Sequence, residues 1–288
     1  MADRSQQRRA RATPSRRPGG WLIWTIAIVG VVGVAALAIL LSAPRSGGQV
    51  AWARFDTQDV HALSFVGEDA DHLLFGHHGG LLETRDEGRT WRPLATSADA
   101  MSLRAAGDGS IVIAGHEVFS ASRDGGATWA PIATDLPSLD IHGFARDPLD
   151  PARMWAYLAT GGLWESSDSG GHFVRVREDN VLFPLAVSDA AGSRLLGVDA
   201  SGFVASTDGG RSWATLGSPP AFPMTSLAAT PDGGVVYAGS PDGLFRSRDG
   251  GRTFSATTYL GSAFAVANDG RGRGGGGGQP ADRVLPVP

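Results

Sequence analysis

One eight-residue pattern occurs five times in this chain at nearly constant spacing, and no other feature constrains the fold as strongly. The pattern is Ser/Thr-x-Asp-x-Gly-x-Thr/Ser-Trp/Phe, with a histidine at the second hydroxyl position of the third copy. Its aspartates lie 38, 44, 40 and 41 residues apart and are Asp86, Asp124, Asp168, Asp208 and Asp249. Such a period is typical of repeat proteins in which each unit buries its apolar face against its neighbours.

The residue types in this pattern indicate a structural turn. A short aspartate side chain accepts hydrogen bonds from backbone N–H groups two residues on, and the glycine tolerates a positive φ. We expect the closing rings to be buried between units; they are Trp91, Trp129, Phe173, Trp213 and Phe254. Since one motif serves all units, we assign the five aspartates to turn formation. The third turn, with His172, is expected to be the weakest.

The pattern resembles the Asp-box (BNR) repeat of sialidases, sortilin-type domains and photosystem II assembly factors. This resemblance implies an all-β β-propeller in which each box joins the third and fourth strands of a blade. Alternation and turn signals also predict four strands per unit. In the second unit these are Met101–Ala105, Ile111–Ala114, Val118–Ser122 and a strand near Trp129–Ala133. Four antiparallel strands in about 40 residues are typical of a propeller blade.

The number of blades is predicted to be six, with an incomplete last blade. Five boxes predict five blades, and Gly261–Asn268 is predicted to be the first strand of a sixth blade. Val50–Phe55 alternates and could complete that blade from the N-terminal side, which closes the ring. The propeller is therefore assigned to residues 50–269, and the Gly-rich segment 270–288 to a disordered tail.

The N-terminal part of the chain predicts a membrane anchor. Residues 1–20 carry six arginines against one aspartate, and the 21 residues from Trp21 to Leu41 carry no charge. About 20 apolar residues span a bilayer as a helix, and flanking arginines favour the cytoplasmic side. We expect a cytoplasmic tail at 1–20, a transmembrane helix at 21–42, a linker at 43–49 and a periplasmic or extracellular propeller. A cleaved signal peptide is the alternative.

Charge and cysteine content exclude some functions. The whole chain has a net charge of −4 and its first 20 residues carry +5, so the remainder carries −9. Such an acidic domain argues against nucleic acid as a partner, because phosphate binding needs basic residues. Cysteine is absent, which excludes disulfides and thiolate chemistry.

The candidate ligand-binding residues are polar side chains expected on the propeller face opposite the boxes. They precede or begin inner strands, or lie in the hairpins between second and third strands, of the first three units. These residues are Asp59, His61, His78, Asp99, Met101, His116, Asp140 and His142. Imidazole, carboxylate and thioether groups bind transition metals, and an imidazole–carboxylate pair can exchange protons. The alternative is that hairpin histidines are merely solvated.

The expected function is a membrane-anchored extracytoplasmic scaffold that binds a protein, glycan or cofactor-bearing partner. A sialidase-like glycosyl hydrolase is one alternative, and a metal-binding periplasmic propeller is another. The sialidase pattern is incomplete here, because Trp52-Ala-Arg54-Phe55 does not match the arginine motif of that family. No catalytic residue is therefore assigned. No cofactor is assigned either, and a transition metal is the one candidate.

Overall fold

The computed structural model describes residues 60–67, 69–96, 98–259, 261–268 and 284–287. The expected cytoplasmic tail, transmembrane helix, linker, strand Val50–Phe55 and candidate residue Asp59 lie outside these ranges. Within the described ranges, the chain contains no helix of the length and apolar character that crossing a membrane requires.

Five four-stranded antiparallel sheets form blades 1 to 5, each in sequential strand order. Blade 1 contains β1 (Ala62–Val66), β2 (Asp69–His77), β3 (Gly80–Thr84) and β4 (Arg92–Pro93). Blade 2 contains β5 (Asp99–Ala105), β6 (Ile111–His116), β7 (Val118–Ser122) and β8 (Ala130–Pro131). Blade 3 contains β9 (Ile141–Arg146), β10 (Met154–Leu158), β11 (Gly162–Ser166) and β12 (Val174–Arg177). Blade 4 contains β13 (Leu182–Asp189), β14 (Gly192–Asp199), β15 (Gly202–Ser206) and β16 (Ala214–Gly217). Blade 5 contains β17 (Ser226–Ala229), β18 (Val236–Ser240), β19 (Gly243–Ser247) and β20 (Ser255–Ala256).

A two-stranded sheet lies between the last blade and the first. It pairs β21 (Ala265–Asn268) with β22 (Val284–Val287). The first strands of successive blades contact one another, and β21 contacts both β17 and β1, so the inner strands form a closed ring. The described residues thus form five blades and a smaller closing sheet, where the sequence predicted six blades. No box follows β21 to make outer strands, and β22 lies within the segment predicted to be a disordered tail.

The core lies between adjacent blades and is rich in aromatic pairs. Phe119 of blade 2 packs edge-on against Phe144 and Phe173 of blade 3, with ring centroids 5.7 and 6.0 Å away. Phe203 and Phe254 repeat this contact between blades 4 and 5, at 5.4 Å. Edge-to-face geometry is favourable for such pairs and adds to the burial of their apolar surface.

The closing rings of the boxes are less buried than the sequence predicted. Phe173 is buried, whereas the other four rings are half-buried. In the three tryptophan boxes the indole N–H must reach the carbonyl oxygen of the box glycine. In the first box Trp91 Nε1 donates to Gly88 O at 2.9 Å. This bond holds the indole ring beside its own turn, whereas Phe254 is half-buried without such a bond.

Each box is a closed network of hydrogen bonds around its aspartate. In the second box, Ser122 Oγ donates to Asp124 Oδ1 at 2.8 Å and accepts from the Gly126 N–H at 2.8 Å. Thr128 donates its N–H to Asp124 Oδ1 at 2.8 Å and its hydroxyl to Oδ2 at 2.6 Å. The backbone donor is thus four residues beyond the aspartate, not two as expected. The glycine has a φ of +94°, which confirms the reason for its presence.

These bonds stabilise the ionised carboxylate. The Thr90 N–H and hydroxyl hold the pKa of Asp86 at about 2, below the ordinary 3.8, and the Thr128 groups do the same for Asp124. In the third box His172 brings no hydroxyl, and the backbone N–H of that residue is the main group that lowers the Asp168 pKa. One donor to the carboxylate is therefore missing from the third turn, although its relative weakness stays a prediction.

Candidate functional site

The strand order of a blade separates the boxes from the histidines. In blade 1, β3 begins at Gly80, just after the hairpin that holds His78, and ends at Thr84, where the box begins. His61 directly precedes the inner strand β1, whose first residue pairs with Gly76 near the same hairpin. Both histidines therefore lie at the end of the blade opposite the box. We call this end of the propeller the histidine face.

Backbone pairing brings the polar residues of blades 2 and 3 to the same face. Asp99 at the start of β5 is paired with His116 at the end of β6, and His116 forms a bridge with Asp140 of the next blade. A Cβ atom on Gly115 would lie 2.0 Å from the Asp99 carbonyl oxygen and 2.7 Å from the Met101 nitrogen. Glycine at this position is therefore what lets the start of β5 approach β6.

The side chains of blades 1 and 2 form the first half of a continuous polar chain. His61 Nε2 lies 3.1 Å from His78 Nδ1, and the His78 nitrogen lies 2.8 Å from Asp99 Oδ2. Asp99 Oδ1 is also 3.5 Å from His61 Nε2. The two imidazole rings meet edge to face with their centroids 4.2 Å apart.

The second half of the chain runs from blade 2 to blade 3 through His116. Its Nδ1 lies 2.9 Å from Asp99 Oδ2, and its Nε2 lies 3.3 Å from His142 Nε2. His142 Nε2 is in turn 3.0 Å from Asp140 Oδ1. Asp99 therefore joins the two halves, because one carboxylate oxygen accepts from both His78 and His116.

The electrostatic environment of Asp99 favours its charged form. Burial raises the pKa of this carboxyl, but hydrogen bonds from His116 and His78 outweigh burial, and the net pKa is below the ordinary value. The Asp99 side chain is 22% exposed, whereas His116, His142 and Asp140 are 38 to 45% exposed. A ligand from solvent can therefore reach the half of the chain on blades 2 and 3.

Six of the eight predicted site residues are brought together. They are His61, His78, Asp99, His116, Asp140 and His142. Met101 is half-buried on β5, where the register shifts between Asp99 and Ser102, and the position of its side chain relative to the polar chain stays a prediction. Asp59 lies outside the described residues, and whether these groups bind a ligand stays a prediction.

The remaining histidines have structural contacts. His77 accepts a hydrogen bond from the Gly79 N–H at 3.0 Å and stacks on Phe75. His72 is buried beside Glu83, and burial lowers its pKa. His172 contacts Asp135 on the box side of the ring.

The histidine face also carries exposed apolar residues that the sequence did not predict. Leu182, Phe222 and Phe264 lie at or before the inner strands β13, β17 and β21, and they are 44, 92 and 38% exposed. Phe264 directly precedes its strand, as His61 does, and Leu182 begins its strand, whereas Phe222 lies further before β17. The signal in the sequence was an apolar residue at or before an inner strand, as in Pro219-Pro-Ala-Phe222-Pro.

A central cavity on the box side was also missed. It has a volume of about 940 Å³ and is lined by the far ends of the inner strands. Arg104 lies in its wall and donates to the Leu103 carbonyl oxygen, and burial lowers its pKa to about 10. Asp147 in the same wall accepts hydrogen bonds from Ser188 and Ser193. Strand alternation could not reveal this cavity, because the distance between opposite inner strands depends on ring closure.

Comparisons with known proteins agree on the fold. No protein-family model matches the chain, and no curated protein matches it. A solved structure described as YCF48 bound to D1 peptide is 18% identical, with 74% of this chain and 88% of that chain covered and a TM-score of 0.52. A nidogen/laminin complex gives 17% identity, coverage of 68% and 81%, and a TM-score of 0.54. The chain therefore has a β-propeller fold, as the repeat predicted.

A glycoside hydrolase also has a similar fold. The GH74 enzyme of Niastella koreensis is 17% identical, with a TM-score of 0.50. The match covers 74% of this chain but only 42% of that enzyme. At such identities the likeness shows a shared fold, and it carries no activity over to this chain.

Gly115→Ala tests how the histidine face is assembled. We expect it to lower the free energy of unfolding by about 3 kcal/mol, because the new methyl group would collide with the backbone of β5. Gly107→Ala is the matched control: nothing lies within 4 Å of its Cβ position, and we expect a change of at most about 0.5 kcal/mol. Chemical denaturation measures both, and equal effects would contradict the described packing of β5 on β6.

Proposed function

We propose that the protein is a binding scaffold that docks a polypeptide partner on its histidine face. The observation that carries this proposal is the division of that face into two parts. Polar side chains occupy blades 1 to 3, while Leu182, Phe222 and Phe264 occupy blade 4, blade 5 and the closing sheet. Protein interfaces combine exposed aromatic residues with a polar surround, and aromatic residues contribute much of the binding energy.

Phe222 is the strongest single indicator within this group. Its side chain is 92% exposed. A single exposed apolar residue is ordinary on a protein surface. Here, however, exposed apolar residues lie at or before the inner strands of three successive sheets, which supports a shared docking surface.

The similar solved structures support the proposed class of partner. One is described as bound to D1 peptide and the other as a nidogen/laminin complex. Their likeness to this chain is one of fold, so neither partner is transferred to it. They support a polypeptide as a partner class that a propeller of this fold can accommodate. A glycan partner and the sialidase-like activity stay predictions from the sequence.

We also propose that segment 21–42 anchors the propeller outside the cytoplasm. The support is the uncharged run Trp21–Leu41, preceded by six arginines and followed by an acidic domain. An anchor of this kind would hold the scaffold near the membrane surface, where the binding face meets extracytoplasmic or membrane-bound polypeptides.

Site-specific photo-crosslinking tests the docking surface. A photoreactive phenylalanine analogue at Phe222 should give a discrete crosslinked species in intact cells, and Phe264→Ser should reduce its yield several-fold. Leu149 is the matched control position, because it is 71% exposed but lies on the box side of the ring. Equal crosslinking from both positions, or none from Phe222, would contradict the proposal.

Cysteine labelling tests the membrane topology, because the chain has no cysteine of its own. Ser201→Cys introduces an exposed thiol in the turn between β14 and β15, and Ser5→Cys introduces one in the N-terminal tail. A membrane-impermeant maleimide should label only Ser201→Cys in cells with an intact inner membrane. Labelling of Ser5→Cys under those conditions would overturn the proposed orientation.

A further inference from the structure

We propose that His116, Asp140 and His142 bind a single divalent transition-metal ion of the zinc type. Asp99 would act as the positioning residue for His116. The proposal does not depend on the polypeptide partner, because all its ligands come from blades 2 and 3 of this chain.

The separations of the three donor atoms fit one ion. His116 Nε2 lies 3.3 Å from His142 Nε2 and 3.6 Å from Asp140 Oδ1, and the latter two atoms are 3.0 Å apart. A tetrahedral ion with bonds of about 2.0–2.1 Å requires ligand atoms about 3.3–3.4 Å apart. The donors need only shifts of a few tenths of an ångström to coordinate an ion between them.

The position of the proton on the His116 ring supports a cation at this site. A carboxylate only accepts hydrogen bonds, so His116 Nδ1 carries the proton that bonds Asp99 Oδ2 at 2.9 Å. The Nε2 of a neutral His116 then presents a lone pair toward His142 Nε2 and Asp140 Oδ1. His142 Nε2 has at most one proton to share between these two acceptors. A bound ion would accept a lone pair from each of the three atoms, with the proton of His142 then carried on its Nδ1.

Asp99 completes the arrangement expected around a metal-binding histidine. Such histidines usually donate their second ring N–H to a carboxylate, which fixes the tautomer and the ring orientation. Asp99 has this relation to His116. The three ligand side chains are 38 to 45% exposed, so a fourth coordination position faces solvent and can take water or a further ligand.

The neighbouring group of His61, His78 and Asp99 has the same residue types but a different geometry. In this group His61 lies nearest to Asp99 Oδ1 and His78 lies nearest to Asp99 Oδ2. The Oδ2 atom already accepts the hydrogen bond from His116. An ion there would compete with the hydrogen bond that orients His116. We therefore assign the metal to blades 2 and 3, which a variant of His61 can test.

Calorimetric titration of the full chain with Zn²⁺ is the experiment. The protein carries a purification tag without histidine, is kept in detergent, and is stripped of metal with a chelator beforehand. We expect one ion per chain for the wild type. His142→Ala should weaken binding at least about 100-fold, since it removes a ligand, and Asp99→Ala about 10- to 100-fold, as for other groups that orient metal ligands.

Two histidine variants serve as controls. His172→Ala removes an exposed histidine on the box side, and His61→Ala removes one from the neighbouring group. Both should bind Zn²⁺ with wild-type affinity within about threefold. Zn²⁺ should also raise the Tm of the wild type and not that of His142→Ala, because a ligand that binds only the folded state stabilises it. Thermal unfolding without metal shows whether each variant is folded.

Three results would overturn the proposal. The first is the absence of Zn²⁺ binding by the folded wild type, which would leave a hydrogen-bonded histidine chain. The second is loss of binding in His61→Ala with retention in His142→Ala, which would place the ion in the other group. The third is an equal loss in His172→Ala, which would indicate nonspecific binding by exposed histidines.

Discussion

The hydrogen bonds onto the box aspartates are the interaction on which the other features of this propeller depend. Each carboxylate fixes the turn between the third and fourth strands, and the glycine of that turn packs against the neighbouring blade. A Cβ on Gly126 would meet Leu74 of blade 1 at 3.3 Å, and one on Gly251 would meet Phe203 of blade 4 at 2.1 Å. The box therefore shapes its own turn and also sets how closely adjacent blades approach. Because this spacing between blades is repeated around the ring, it determines the positions of the inner strands.

The histidine face is a consequence of this spacing. His61, His116 and His142 belong to three different blades, and their side chains form one chain with Asp99 only because the inner strands begin at the same level. The boxes lie at one end of the propeller, and the polar chain lies at the other. Polar groups and exposed apolar groups both occur there, so a metal ion and a polypeptide would bind near each other.

The repeat period and the residue types made the propeller and the convergence of the histidines predictable. The sequence could not reveal the register shift between Asp99 and Ser102 on β5, because strand alternation assumes regular pairing. It also could not reveal that Phe222 is exposed, since an apolar residue in a loop is as often buried. The partner strand of β21 was misjudged for a similar reason: Val284–Val287 is too short for its pattern to distinguish a strand from a tail.

Carboxyl ¹³C titration by NMR tests the role of the box aspartates most directly. We expect a pKa of about 2 for Asp86 and Asp124 in the folded protein, against 3.8 for an ordinary aspartate. Because folding lowers these values, the stabilisation is present above about pH 4 and is lost as the pH falls toward 2. The free energy of unfolding should decrease over that interval. Aspartate pKa values of 3.8 or higher in the folded protein would contradict the claim that these hydrogen bonds fix the turns of the blades.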